Sequence, residues 1–122
     1  MNEIPDIMRL ASGAARHAAA RQATIAANVA NADTPGFHAR DTTPFTPEDD
    51  FTLRRTRPGH LAGQALAAQS MELRDVPADP NGNTVDLEDQ ILRGIDASRQ
   101  HERALSVYSG ALDILRSSIG KR

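Results

Sequence analysis

The sequence contains no cysteine and no tryptophan, and it has only one tyrosine and three phenylalanines. Without cysteine the chain forms neither disulfides nor thiolate metal sites. Large aromatic side chains supply much of the buried area in most protein cores, whereas much of the apolar content here is alanine. The 122 residues suffice for one domain at most, and we expect neighbouring molecules to complete its core.

Long apolar runs and a strong charge imbalance are also missing. No run approaches the roughly 18 apolar residues of a transmembrane helix. Residues 1–6 have neither a basic region nor an apolar segment, so we expect no cleaved secretory signal. The net charge is −2, from 14 basic and 16 acidic residues. This balance gives no indication of an electrostatic nucleic-acid binder.

No pattern typical of a catalytic or metal site is present. The four histidines do not form an HxxxH, HxH or HExxH pair; they are His17, His38, His60 and His101. Neither a phosphate-binding glycine loop nor a nucleophile elbow occurs. We therefore expect no catalytic residue, metal or cofactor. His17, between Arg16 and Arg21 on a predicted helix, is expected to be solvated.

Residues 4–32 are predicted to form a long helix. Pro5 suits its first turn, and Glu3 and Asp6 suit its positive dipole end. Apolar and small residues recur at alternating spacings of four and three, which is the pattern of a coiled-coil seam. The seam consists of Ile4, Met8, Ala11, Ala15, Ala18, Gln22, Ile25 and Val29. Arg9, Arg16 and Arg21 are expected on the other faces.

The end of this helix lies in the stretch from Ala26 to Phe37. Pro35 disfavours helical geometry at the residue before it, and Gly36 takes positive φ at low cost, so the pair fits a type II turn. Asn28 and Asn31 can bond freed backbone groups near the helix end. The stretch is either a helix terminus alone or also a contact site.

Residues 33–85 are predicted to be irregular. Prolines interrupt any helix at positions 35, 44, 47 and 58. Phe45 and Phe51 are expected to anchor the segment to a partner, and residues 62–71 to contain a short helix. Such long segments are usually functional or disordered. We expect this one to be disordered in the free chain and ordered in an assembly.

Residues 86–119 are predicted to form the second long helix. Asp86 is a good N-cap, Asp89 takes the capping-box position, and Gly120 suits the C-cap. Ser98 and Glu102 interrupt the apolar face in its middle. That face consists of Leu87, Ile91, Ile95, Leu105, Tyr108, Leu112, Leu115 and Ile119.

The sequence therefore predicts a mainly α protein in three parts: an N-terminal helix (1–32), an irregular middle region (33–85) and a C-terminal helix (86–122). The two helices are expected to pack as an antiparallel, coiled-coil-like pair. Two helices alone leave apolar area exposed, so further copies or partners are expected to complete the bundle.

Two stretches carry a resemblance to a known family. Residues 26–41, AANVANADTPGFHARD, resemble the signature that ends the first helix in bacterial flagellar rod and hook proteins. Residues 82–88, GNTVDLE, are similar to the element that opens the C-terminal helix of the proximal rod members, and residues 59–66 carry a weaker likeness. Phe37 and His101 depart from the aromatic residues that the family often has there.

The resemblance implies a structural protein and not an enzyme. Members are exported unfolded through the flagellar type III apparatus without a cleaved signal. They assemble helically into the periplasmic rod, between the MS-ring/export-gate base and the next rod subunits. The implied subunit-interface residues are Met8, Ala11, Ala15, Ala18, Gln22, Ile25, Asn28, Val29, Asn31, Pro35, Gly36, Phe37, Ile91, Ile95, Leu105, Tyr108, Leu112, Leu115 and Ile119.

Two other classes of protein remain as alternatives. A soluble helical export chaperone or adaptor would need a stable cytosolic oligomer without polymerisation contacts, and the long Thr- and Pro-rich middle region argues against it. A peptidoglycan-acting enzyme of the same organelle would need a carboxylate pair in a cleft, for which no folded unit here is large enough.

Overall fold

The architecture is a pair of long helices joined by a small two-stranded sheet. The computed structural model describes residues 3–47 and 69–120. The elements are α1 (Glu3–Ala30), β1 (Arg40–Thr42), β2 (Ser70–Glu72) and α2 (Leu87–Ile119). The C-terminal end of α1 meets the N-terminal end of α2, so the helices are antiparallel, and the predicted mainly α fold with a packed helix pair is confirmed. In the described ranges neither helix holds a segment long and apolar enough to cross a membrane.

The ends of α2 are set by the cap residues that the sequence indicates. The Asp86 carboxylate accepts hydrogen bonds from the N–H groups of Glu88 at 2.9 Å and Asp89 at 3.4 Å. Gly120 N–H donates to the carbonyl of Arg116 at 2.8 Å. Both ends therefore satisfy backbone groups that a helix terminus otherwise leaves unpaired.

The two helices pack through small side chains. On α1 the buried positions include Ala11, Ala18 and Ile25, and on α2 they are Gln90 followed by three alanines. The alanines Ala97, Ala104 and Ala111 follow one another at intervals of seven residues, which keeps them on one face of the helix. Because alanine is small, the helix axes can approach to the short end of the usual ~8–10 Å range.

The predicted apolar face of α2 is not the face that packs on α1. Ile91, Ile95, Leu105 and Ile119 are exposed, and Tyr108, Leu112 and Leu115 are half-buried. On α1 the predicted seam position Val29 is 43% exposed, and its neighbour Asn28 is buried instead. The alanine stripes allow a closer approach of the two backbones, so the larger side chains turn outward.

The strands bring the two ends of the middle region together. Arg40 pairs with Glu72 and Thr42 with Ser70 in an antiparallel register. Thr43 N–H donates to the carbonyl of Gln69 at 2.9 Å, which closes one end of the ladder. Residues 33–47 and 69–85 thus have defined places in the single chain, which corrects the expectation of disorder for these parts.

Two other predictions for the middle region concern the short helix and Phe51. Most of the short helix predicted over 62–71 lies outside the described residues, and its last residue, Met71, belongs to β2. Phe51, expected to anchor the region to a partner, also lies outside them.

The alanine packing gives a first testable prediction. Ala97 is 0% exposed, and the extra methyl groups of leucine would force the helices apart. We expect Ala97→Leu to lower the free energy of unfolding by about 1–3 kcal/mol. Ala26→Leu, the same change at an exposed position of α1, should stay within about 0.5 kcal/mol of the wild type. Urea unfolding followed by circular dichroism checks both, and equal effects would contradict close alanine packing.

Candidate functional site

The turn after α1 has the geometry that its sequence predicts. Phe37 N–H donates to the carbonyl of Thr34 at 3.2 Å, and Gly36 has φ +70°. A type II turn requires such a positive φ at this position. Pro35 and Gly36 are exposed, and Phe37 is half-buried. The turn thus reverses the chain, which then runs back alongside α1.

A second turn, before α2, lies against the first. Gly82 has φ +83°, and its N–H donates to the carbonyl of Asp79 at 2.8 Å. Gly36 N–H donates to the carbonyl of Asn81 at 3.0 Å. A Cβ atom on Gly82 would lie 3.4 Å from the Cα of Gly36, so the two glycines let the backbones touch. We call residues 28–41 together with residues 79–93 the joint.

Asn83 ties the second turn to the end of α1. Its side chain is 1% exposed. Its Nδ2 donates to the carbonyls of Asn31 at 2.9 Å and Thr34 at 2.8 Å, and its Oδ1 accepts from the N–H of Val85 at 2.7 Å. Both carbonyls belong to the turn that follows Ala30, the last residue of α1. Asn83 therefore fixes this turn from a position about fifty residues further along the chain.

Thr84 continues this pairing toward the sheet. Its N–H donates to the carbonyl of Phe37 at 3.0 Å, and its Oγ1 accepts from the N–H of Ala39 at 2.8 Å. Ala39 is 0% exposed. Residues 37–39 are therefore held on one side by the segment that leads into α2, while the next residue begins β1.

Asn28 connects three elements through one amide. Its Nδ2 donates to the carbonyl of Arg40 in β1 at 2.6 Å and to Oε1 of Gln90 in α2 at 2.8 Å. Its Oδ1 accepts from the N–H of Arg40 at 3.0 Å. Asn28 and Gln90 are each 1% exposed. The hydrogen bonds of Asn28 thus lie within its own chain, and its side chain is not on the surface.

A cluster of charges lies beside this amide. Asp41 accepts from Arg21 of α1 in a two-pronged contact, at 2.9 Å from Nε and 3.1 Å from Nη2, and from Nη1 of Arg93 at 2.6 Å. Arg93 Nε also donates to Asp89 at 2.6 Å. Arg21 therefore does not decorate an outer face, as the sequence analysis expected, but joins α1 to β1. One carboxylate links both helices to the sheet.

The surroundings shift the pKa values of two groups in this cluster. Burial acts to raise the pKa of Asp41, but hydrogen bonds from Arg21, from the Thr42 N–H and from Arg93 outweigh it and hold the pKa below its ordinary value. The hydrogen bond to Asp89 raises the pKa of Arg93 against the opposing effect of burial, and Asp41 adds to it. Both shifts favour the charged forms of Asp41 and Arg93.

A groove opens next to the charge cluster, between α1, α2 and the residues that follow β1. His17 Nε2 lies 2.6 Å from the carbonyl of Thr43, and its ring lies 5.6 Å from that of Phe45. Phe45 also approaches to 3.5 Å of a Cβ built on Gly13. The expectations of a solvated His17 and of a Phe45 anchored on a partner are therefore wrong. Both side chains hold the middle region on α1.

The predicted interface residues fall into three groups. Ala11, Ala18, Ile25 and Asn28 are buried in the single chain; Met8, Ala15, Gln22, Asn31, Phe37, Tyr108, Leu112 and Leu115 are half-buried; Val29, Pro35, Gly36, Ile91, Ile95, Leu105 and Ile119 are exposed. The exposed and half-buried groups include all the predicted positions of α2.

Sequence reasoning missed most of the residues that hold the joint together. They are Arg21, Asp41, Asn83, Gln90 and Arg93. Gln90 had a signal, because it lies one heptad before Ala97 and shares the alanine stripe. No sequence pattern could have revealed the charge cluster, since Arg21, Asp41 and Arg93 are far apart in the sequence.

Within the ranges that the structure describes, no His, Asp and Glu side chains gather to hold a metal ion. The side chains of the joint connect α1, α2 and β1 through hydrogen bonds and ion pairs.

Comparison with known proteins identifies the family. Residues 8–38 match the model of the family described as "Flagella basal body rod protein". The flagellar basal body rod protein FlgB of Escherichia coli is 33% identical over 127 residues, covering 92% of this chain and 91% of the relative. The chain belongs to the FlgB family of flagellar basal body rod proteins. FlgB of Agrobacterium fabrum is 33% identical, with 79% of each chain covered, and that of Salmonella typhimurium is 34% identical, with 77% and 78% covered.

The two kinds of match differ in how much of the chain they cover. The family model covers residues 8–38, which include most of α1 and the turn after it. The alignments with FlgB relatives extend over 77–92% of the chain. They concern a structural flagellar family, and nothing in them supports the alternative of an export chaperone.

Proposed function

We propose that this chain is a structural subunit of the proximal part of the flagellar rod, which polymerises helically and transmits torque. The observation that carries the proposal is the set of large apolar side chains that both helices expose. They include Ile7, Leu10, Leu87, Ile91, Leu92, Ile95, Leu105, Val107, Ile114 and Ile119, each at least 44% exposed. Exposed apolar area on this scale marks interaction surfaces.

The hydrogen bonds and ion pairs of the joint support the proposed role in transmitting torque. A shaft that transmits torque needs subunits whose elements do not slide past one another. Asn28, Asn83 and Asp41 fix α1, α2 and β1 to each other with buried, fully paired polar groups. Such networks specify one arrangement, because any slippage leaves several buried polar groups without partners.

The same composition suits passage through a narrow export channel. The chain has no cysteine, so no covalent crosslink opposes unfolding, and its alanine stripes bury little area per residue. We propose export in unfolded form by the flagellar type III apparatus to the periplasmic rod. There the chain would lie between the MS-ring/export-gate base and the next rod subunits.

Genetic complementation tests the proposed function. We expect cells that lack the gene to keep the membrane ring but to have no rod and not to swim, and wild-type protein should restore swimming. Leu105→Asp should be expressed normally but fail to restore swimming, because an unpaired carboxylate in an apolar interface costs about 3 kcal/mol, or roughly 100-fold in affinity.

Ser106→Asp is the matched control for this substitution, since it introduces the same charge at the next exposed position. Normal swimming of the deletion strain would overturn the proposed function. Normal swimming with Leu105→Asp would remove this face of α2 from the assembly surface.

A further inference from the structure

The groove beside the joint is an apolar surface with a free positive charge. Its volume is about 660 Å³, and Ile7, Leu10 and Ala14 of α1 and Val107 of α2 form much of its wall. Asp41, which also lines it, is neutralised by two arginines. Arg103 lines the groove as well and forms no ion pair in the part of the chain that the structure describes. An occupant should therefore be apolar and carry a carboxylate.

The same chain carries a surface of this chemistry on the first turns of α2. Leu87, Ile91, Leu92 and Ile95 are 50%, 60%, 65% and 44% exposed. On the helix surface Glu88 lies among them and Asp96 lies at their edge; both are exposed, and neither side chain has an ion-pair partner among the described residues. We call these six residues the outer strip. It has apolar area that can pack against the apolar wall of the groove, and it has the negative charge that the groove lacks.

The two surfaces match in length and occupy different segments of α2. From Leu87 to Ile95 the outer strip measures about 12 Å at 1.5 Å per residue. The stretch of α2 that lines the groove, from Gln100 to Val107, measures about 10 Å on the same basis. At about 100° per residue, Leu87 and Ile91 lie on the side of α2 away from Arg103 and Val107, whereas Leu92 and Asp96 lie on the same side as these two residues but nearer the N-terminus of the helix. Both surfaces belong to one continuous helix. One chain therefore cannot fill its own groove with its own strip.

We propose that the outer strip of one copy of this chain docks in the groove of the next copy, with Glu88 and Asp96 beside Arg103. The contact is heterologous, since it joins two different surfaces, and such contacts generate open helical arrays instead of closed dimers. The proposal rests on the proposed function and names the surfaces through which copies of the chain touch one another in the rod.

Disulfide crosslinking tests the contact, because the native chain has no cysteine. Ile91→Cys marks the strip and Val107→Cys marks the groove. In one chain these positions are about 24 Å apart along a single helix, too far for an internal disulfide. Cells that carry the double variant in place of the wild type should give a ladder of disulfide-linked multimers after mild oxidation. Each single variant should stay monomeric.

The possible outcomes distinguish failure of the proposed contact from failure of the proposed function. If the single variants swim and the double variant gives no ladder, the contact is overturned and the proposed function stands. If Ile91→Cys alone gives dimers, the contact is symmetric and the proposal is again overturned. Failure of wild-type protein to restore swimming would instead overturn the proposed function.

A charge exchange provides a second test in the same strain. Arg103→Glu, and separately Glu88→Lys with Asp96→Lys, should each lower the yield of the ladder about fivefold, and all three changes together should restore it. Arg74→Glu, an exposed change outside both surfaces, is the control. Loss without restoration, in variants whose circular dichroism is unchanged, means that another molecule occupies the groove and overturns the proposal.

Discussion

Replacing Asn28 by aspartate is expected to lower the free energy of unfolding by about 3–5 kcal/mol. The substitution changes the shape of the side chain very little. It replaces an NH₂ group, which donates to Arg40 and Gln90, by an oxygen that faces the same two acceptors. The site is 1% exposed, so water cannot take over the lost contacts.

Several groups lose their partners at once in this variant. The carbonyl of Arg40 and the amide oxygen of Gln90 become unsatisfied, and the new carboxyl either stays charged in a buried place or takes up a proton. Gln90 belongs to the stripe of α2 that faces α1. We therefore expect the contact between the helices to loosen near the joint first.

Thermal unfolding followed by circular dichroism measures the effect, and a drop in Tm of about 10 °C or more is expected. Asn31→Asp is the matched control, because in the described part of the chain the Nδ2 of Asn31 donates only to the carbonyl of Ala27, and its side chain is more accessible. The control should cost no more than about 1 kcal/mol, mainly from a negative charge at the helix C-terminus. Equal effects at both positions would show that the buried amide does not hold the joint.

Replacing Asp41 by asparagine is expected to cost about 2–4 kcal/mol at neutral pH. The change keeps the size of the side chain and removes the charge that both Arg21 and Arg93 face. Arg93 keeps Asp89 as a partner, whereas Arg21 loses its only ion pair in the described part of the chain. The connection from α1 to β1 should therefore weaken more than that from α2.

The pKa of Asp41 gives this prediction a pH dependence. In the folded chain the pKa lies below its ordinary value, so the ionised form stabilises the fold. That contribution is fully present above the unfolded value of about 3.9 and is lost as the pH falls through the folded pKa. The difference in stability between wild type and Asp41→Asn should be constant above about pH 5 and should shrink below about pH 4.

Urea unfolding at a series of pH values measures this difference. Asp113→Asn is the control, since its pair with Arg116 at 3.4 Å is exposed on both sides and should contribute at most about 0.5 kcal/mol. A difference that grows as the pH falls would contradict the role given to the Asp41 carboxylate.

The parts of the fold predicted from the sequence are those with local causes. Asp86 and Gly120 cap α2, and Pro35 with Gly36 turns the chain after α1, because each acts on backbone groups within a few residues of itself. The helix pair also followed from sequence, since two long periodic segments in a chain with little else to bury must pack together.

The face of α2 that packs on α1 could not be predicted from the sequence of α2 alone. Leucine and isoleucine positions such as Ile91 indicated a seam, yet the helices meet through Ala97 and its heptad neighbours. Large side chains are favoured at an interface only where the backbones stay apart. The alanines of α1 were visible in the sequence, and small residues on one helix favour small residues on the other.

The polar contacts of the joint are even harder to predict from the sequence. Asn28 and Gln90 are 62 residues apart, and Asp41 and Arg93 are 52 apart. Asparagine near a helix end and arginine on a helix are common in many settings, so their types do not reveal a partner. The resemblance drew attention to the two stretches, but their direct contact appears only in the structure.

The closed base of the sheet has a consequence for how this protein family can vary. Thr43 and Gln69 are joined by a backbone hydrogen bond of 2.9 Å, so residues 43 and 69 are held together at the end of the sheet. Doubling the length of a flexible excursion between fixed ends costs only about 0.6 kcal/mol. Segments of different length inserted between residues 47 and 69 should therefore leave the helices and the joint in place. The helices and the joint would then form a constant part of the fold, and the inserted segment would form its variable part.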